Sequence, residues 1–215
     1  MDGDSINQLK SIEFTGQNLI LCEGKTDKDF FEILIHRNPE LNSFKEEFQI
    51  EPFFGVDNFR EYVTAIRVSP GLRNLKSILV VGDFDDGRRN RFDSFRNALS
   101  DFNLPSPDKL GKWTAGSLCV QIYLFPNNES IGMLESLCWD SIGNTDLRDC
   151  VSKYEECIEA TGITIKNVDK MRMFSYIAAH SNSCNVGVAA KYRIIDVKSE
   201  VFSDIKRVLM EMVNS

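Results

Sequence analysis

Acidic residues stand where two apolar runs of this chain end. Glu23 follows Asn18–Leu19–Ile20–Leu21–Cys22, and Asp83 and Asp85 follow Ser77–Ile78–Leu79–Val80–Val81–Gly82. Both runs lack the two-residue alternation of a half-exposed strand, so each reads as a strand buried on both faces of a parallel sheet. Ligands of open parallel sheets bind in the crevice outside the carboxyl ends of the strands, where these carboxylates lie. An Asp-x-Asp step leaving a strand turns both side chains to one side of the rim. Hard oxygen donors of this kind, completed by water and phosphate, suit Mg²⁺, with Mn²⁺ as a substitute. The matching chemistry is phosphodiester hydrolysis, in which a cation activates the attacking water and stabilises developing charge. Each signal also has an ordinary reading. Glu23–Gly24 is a common turn, and Asp83–Phe84–Asp85–Asp86–Gly87 fits a solvated acidic turn with Gly87 at positive φ.

Cationic residues follow both acidic sites. Arg88, Arg89 and Arg91 open the segment after the acidic turn, close enough to meet a phosphate backbone, and Lys25 and Lys28 flank Glu23. Lys191 lies in the small-residue stretch Gly187–Val188–Ala189–Ala190–Lys191–Tyr192, which brings a lysine towards the rim for a role at the transition state. The competing reading for each is a solvated surface charge. No Walker loop is present, because Glu23–Gly24–Lys25–Thr26 lacks the glycine five residues before Gly24, where Leu19 stands. His36 and His180 fall near predicted helix C-termini and suggest dipole-favoured surface histidines. The aromatic residues recur at core spacings and read as packing, not as stacking platforms for bases.

The elements that must position these residues alternate in the first half. A helix after the first strand carries Phe30, Phe31, Leu34 and Ile35 on its core face, with Thr26 as its cap, and Asn38–Pro39 stops it. A second strand is predicted at Phe48–Phe54, ended by Gly55, and its helix, capped by Asp57 or Asn58, presents Phe59, Tyr62, Val63 and Ile66. The third strand precedes a helix over 89–102, and Ser117–Phe125 is a fourth strand. This order predicts a parallel α/β sheet with right-handed crossovers. After Pro126–Asn127–Asn128 the pattern turns helical, at Ile131–Ile142, Leu147–Ala160, Asn167–His180 and Ser199–Val213. Residues 1–126 thus form an α/β core, and residues 127–215 a helical annex packed on it within one globular unit.

Three segments in order resemble TOPRIM domains. Leu19–Ile20–Leu21–Cys22–Glu23–Gly24–Lys25–Thr26–Asp27 resembles the first TOPRIM motif, an apolar strand followed by Glu-Gly-x-x-Asp. Phe54–Gly55–Val56–Asp57–Asn58 resembles the glycine turn after the second strand, and Ile78 to Gly87 the Asp-x-Asp strand with its trailing glycine. Pro126–Asn127–Asn128–Glu129–Ser130–Ile131–Gly132–Met133–Leu134–Glu135 resembles the late acidic segment of small stand-alone TOPRIM proteins and of the overcoming-lysogenization-defect nucleases. The resemblance implies a TOPRIM (Rossmann-like) fold in which Glu23 is a metal ligand or general base and Asp83 and Asp85 are metal ligands. It further implies that Asp27 helps bind a second metal, against its plain reading as a helix-start carboxylate. Glu129 would complete that second site, against its plain reading as part of a helix cap. Glu135 is expected on a solvated face.

A Mg²⁺-dependent nuclease acting on DNA or RNA is therefore the leading expectation. A chain of 215 residues has no room for the gating domain of a topoisomerase. Two other classes compete. One is a TOPRIM-like module that binds nucleic acid, a nucleotide or a protein without turnover. The other is a haloacid-dehalogenase-type phosphohydrolase using Asp83, although that family carries its nucleophile on the first strand. A net charge of −7 and a pI near 5.0 argue against a broad electrostatic nucleic-acid binder, yet fit an enzyme that concentrates carboxylates around a cation. Scattered cysteines without a C-x-x-C pair argue against a zinc module. No apolar run reaches the roughly 20 residues of a membrane span, and the first ten residues lack a signal-peptide pattern. A cytoplasmic protein without membrane partners is expected.

Overall fold

Leu19, Ile20, Leu21 and Cys22 have no polar side chain to leave in water, and β1 (Asn18–Cys22) accordingly lies inside the sheet, buried along its whole length. In the computed structural model, which describes residues 12–84, 88–143 and 145–214, β1 is joined by β2 (Phe48–Pro52), β3 (Ser77–Asp83) and β4 (Cys119–Phe125). All pairings are parallel and the order is β2-β1-β3-β4. This is the expected α/β, Rossmann-like architecture.

Alternation along each strand divides the core in two. Ile20, Cys22, Leu79, Val81, Tyr123 and Phe125 face one apolar cluster, and Leu19, Leu21, Ile78, Val80, Val120, Ile122 and Leu124 face the other. The first face is covered by α1 (Lys25–Arg37), which buries Phe30, Phe31, Leu34 and Ile35 as its spacing predicts. Each such side chain contributes about 1.5–3 kcal/mol on burial. The short α2 (Pro39–Asn42) adds Leu41 to the same cluster. On the second face lie α3 (Val56–Val68), through Phe59, Val63 and Ile66, and α4 (Arg88–Asp101), through Phe95, Ala98 and Leu99.

The helical second half contributes α5 (Leu134–Ser141), α6 (Asp146–Ala160), α7 (Val168–Ala178), α8 (Val186–Lys191) and α9 (Ser203–Val213). Their apolar residues, among them Cys138, Met173, Ile177, Ala189, Val208 and Met212, belong to the same cluster as the sheet and α1. Residues Gly111 and Thr114 donate backbone N–H groups to Ile122 and Val120, covering the outer edge of β4. Among the described residues no helix is long and apolar enough to cross a membrane.

Several boundaries differ from expectation. β2 stops at Pro52, because Phe54 has a φ of 56° and cannot continue a strand. Gly24, not Thr26, is the residue before α1; the Asp27 carboxylate accepts its N–H at 2.8 Å. Gly55 likewise takes the capping place assigned to Asp57 or Asn58. The helix predicted from Ile131 begins at Leu134, because Gly132 exchanges two backbone hydrogen bonds with Phe84 (2.9 and 2.8 Å). The segment from Ser199 opens with a 3₁₀ turn, Glu200–Phe202, before α9. The small-residue stretch of α8 packs against α1: a Cβ on Gly187 would lie 2.5 Å from Asp29 Cβ.

Candidate active site

From its carboxyl end β1 leads through α1 on one face to β2, whereas β3 leads through α4 on the other face to β4. Connections therefore diverge on opposite faces between β1 and β3, opening the crevice in which such sheets bind ligands. Glu23 leaves β1 and Asp83 ends β3, so neighbouring strands deliver the two carboxylates to one rim. Glu23 Oε1 accepts the backbone N–H of Asp83 at 3.3 Å. Gly82 makes room for this approach: a Cβ there would sit 3.0 Å from Glu23 Oε1 and 2.9 Å from Phe95 Cε2.

The Gly132–Phe84 pairing brings the start of α5 to the same rim, where Leu134 N–H donates to Asp83 Oδ1 at 3.3 Å. Glu135, the next residue, is only 8% exposed, which corrects its expected place on a solvated face. Lys170, in the first turn of α7, brings its Nζ to 4.0 Å from Glu135 Oε1. The Arg91 guanidinium stands 3.7 Å from Glu23 Oε1.

Burial pushes the Asp83 carboxyl up to about 8, and the negative charges of Glu23, Asp27 and Glu135 push in the same direction. Asp27 rises to about 6, chiefly through burial, with Glu23 and Glu135 adding to it and the Gly24 N–H and Lys170 opposing it. Glu135 is also raised, by burial first, while Lys170 holds it down. These four carboxylates feel one another across a partly dehydrated rim. That shared repulsion is what a divalent cation relieves.

Of the residues singled out from sequence, the structure brings together Glu23, Asp83, Asp27 and Arg91. Asp85 and the side chains of Arg88 and Arg89 lie outside the described residues. Lys25 is exposed at the first turn of α1, with Lys28 half-buried one turn on. Glu129 is exposed in the turn after β4, its N–H bound to Asn127 Oδ1 at 3.1 Å. Lys191 is not brought to the rim. Its carbonyl accepts from Arg37 Nη2 at 2.6 Å, at the end of α1 remote from Glu23, and the small residues before it serve helix packing.

Gly82 and Lys170 were missed, and Glu135, a weaker candidate in the sequence, was misplaced on a solvated face. Glu135 had a sequence signal, since Cys138 and Trp139 lie three and four residues on and are buried with it. Lys170 had none, because only tertiary packing of α5 on α7 brings it near. Among the described residues no three His, Cys, Asp or Glu side chains form a group that could hold a metal ion. Glu23 and Asp83 nevertheless offer two hard oxygen ligands, which is the usual protein share for a Mg²⁺ that keeps several waters.

Residues 17–214 match the family model described as "Protein of unknown function (DUF3226)". The chain belongs to this family. The match takes in all four strands and α1 to α9, so the rim carboxylates and the helical annex both fall within the family's extent. No curated protein and no solved structure matches the chain.

Proposed function

We propose that this chain is a Mg²⁺-dependent nuclease of the TOPRIM type, hydrolysing DNA or RNA phosphodiesters at the rim where β1 and β3 end. The observation that carries this reading is the meeting of Glu23 and Asp83 on neighbouring parallel strands, with Glu23 Oε1 3.3 Å from the Asp83 amide nitrogen. Glu23 and Asp83 would hold the cation, with Asp85 as the third carboxylate the sequence offers. When bound, Mg²⁺ supplies positive charge against the anionic phosphodiester.

The remaining work falls to the chain's own groups. Asp27 anchors the Gly24 N–H and with it the turn that presents Glu23. Leu134 N–H holds one Asp83 oxygen and so sets the direction of the carboxylate. Lys170, through Glu135, keeps an ammonium group beside the acidic rim, where it would meet a phosphate oxygen. Arg91, on the opposite side, does the same beside Glu23.

A second reading, a module that binds nucleic acid without turnover, draws on Arg91, whose guanidinium already neutralises part of Glu23's charge without a metal. Incubation of pure protein with end-labelled single-stranded DNA, duplex DNA and RNA, in Mg²⁺, Mn²⁺ or chelator, separates the two. The nuclease reading expects cleavage that needs the cation and disappears in Asp83→Asn at unchanged circular dichroism. Full activity in that variant, or no cleavage with any cation, overturns it.

A further inference from the structure

Most aromatic side chains of this chain are buried or half-buried, and Phe54 is one of the few left exposed. It is 63% exposed, in the turn between β2 and α3, with its backbone at a φ of 56°. A bulky residue pays for the left-handed region in backbone strain, and a ring left in water recovers little of that through burial. The turn is nonetheless held firmly. Asn58 Nδ2 donates to the Phe54 carbonyl at 2.6 Å, and the Gly55 N–H donates to the Glu23 carbonyl at 3.0 Å. The strained, solvent-facing ring is thus tied by its neighbour's backbone to the residue that presents the first carboxylate.

Phe54 lines a groove of about 470 Å³ together with Lys25, Lys28 and Tyr62. Tyr154 and Tyr192 are the other strongly exposed aromatics among the described residues, and neither lines this groove. We infer that Phe54 is a stacking platform for an unpaired nucleobase, with Lys25 and Lys28 receiving the adjoining phosphates, so that the substrate is single-stranded nucleic acid. This deepens the nuclease reading and rests on it for where the scissile phosphate lies.

The exposed ring and the two lysines of the lining argue for this occupant. A flat aromatic face and two ammonium groups in one groove match a nucleotide, which offers a π-face and an anion. Bases inside a duplex have both faces stacked and cannot lie on the ring. The lining also includes Glu13, Asp29 and Glu51, three carboxylates against two lysines. The net charge of the lining therefore opposes a polyanion, and stacking must carry the affinity. The expected signature is strong dependence on the ring combined with a shallow salt dependence, about −0.7 in log–log slope for each phosphate neutralised on a single strand.

The test is binding of fluorescently labelled single-stranded DNA and RNA oligonucleotides to the full chain in chelator, so that no turnover is needed. Duplex and abasic versions of the same strand serve as controls. Phe54→Leu keeps an apolar side chain but loses the π-face, and is expected to weaken single-strand binding about 5- to 150-fold. Duplex and abasic binding, weaker from the start, should not change. Phe54→Trp is expected to retain binding, with indole fluorescence beyond that of wild type quenched by saturating oligonucleotide. Wild-type affinity in Phe54→Leu, an unquenched Phe54→Trp, or no single-strand binding by wild type overturns the platform. Cleavage that persists when Phe54→Leu binds normally would remove the platform alone. Phe54-dependent binding without cleavage under any cation would remove the nuclease reading alone.

Discussion

A Cβ at position 82 would lie 3.0 Å from Glu23 Oε1, a separation at which the carboxylate has to move. The same Cβ would lie 2.9 Å from Cε2 of the buried Phe95 ring. Gly82→Ala is therefore expected to cost about 1–3 kcal/mol of stability by overpacking and also to displace Glu23. A shift of about 1 Å at a reacting centre costs on the order of 100-fold in rate. Initial rates of oligonucleotide cleavage check this, with circular dichroism to confirm the fold. At Phe54 the direction is opposite for stability. Asparagine tolerates a φ of 56° far better than phenylalanine. Phe54→Asn should raise the melting temperature by about 1–4 °C, the shift for up to about 1 kcal/mol in a chain of this size, while abolishing the ring-dependent binding. Glu23 and Asp83 were legible in the sequence because each ends an apolar run and needs no tertiary information to be placed at a strand end. Lys170 was not, because its nearness to Glu135 depends on how α7 lies against α5. Lys191 misled for a related reason. Small residues before a lysine look like a means of close approach, and here the partner they approach is α1.

Among the elements, α8 is the one whose role the sequence concealed. Its Val–Gly–Val–Ala–Ala–Lys run carries no helical period of large apolar residues, and its fit depends on the absence of a side chain at Gly187. A methyl group added there would meet Asp29 Cβ at 2.5 Å and the Thr26 carbonyl at 3.0 Å, both near the start of α1. Gly187→Ala must push α8 away from α1, and overpacking of this kind costs about 1–3 kcal/mol. Chemical denaturation is expected to show that loss, and the Glu23 turn, which α1 anchors, should lose activity with it. The strands were easier to read. Runs without alternation mark β1 and β3 as interior, and the sheet order places both away from the edges. Helix starts were misjudged at α1 and α3, where glycines precede the helices and the expected Thr, Asp and Asn caps fall inside the first turn.

For the whole molecule, the acidic rim couples stability to pH. Unfolded, the Asp83 carboxyl ionises near 3.8; folded, burial and its acidic neighbours hold its proton up to about 8. Between those values the folded chain keeps a proton that the unfolded chain has released, so stability falls as pH rises. Asp27 adds to this fall up to about 6. The melting temperature in chelator is expected to drop from pH about 5 to about 8, less steeply in Asp83→Asn, and saturating Mg²⁺ should flatten the slope by replacing the proton. A slope unchanged by Asp83→Asn would place the coupling elsewhere. Which helices share a face of the sheet was beyond the sequence, since periodicity shows that a helix has an apolar side but not what it meets. The central claim is that Glu23 and Asp83 share one divalent cation. Calorimetric titration of Mn²⁺ into wild type, Glu23→Gln and Asp83→Asn measures it directly. Saturable binding in wild type that is lost in both variants is the expected result; no binding in wild type, or equal binding in all three, contradicts it.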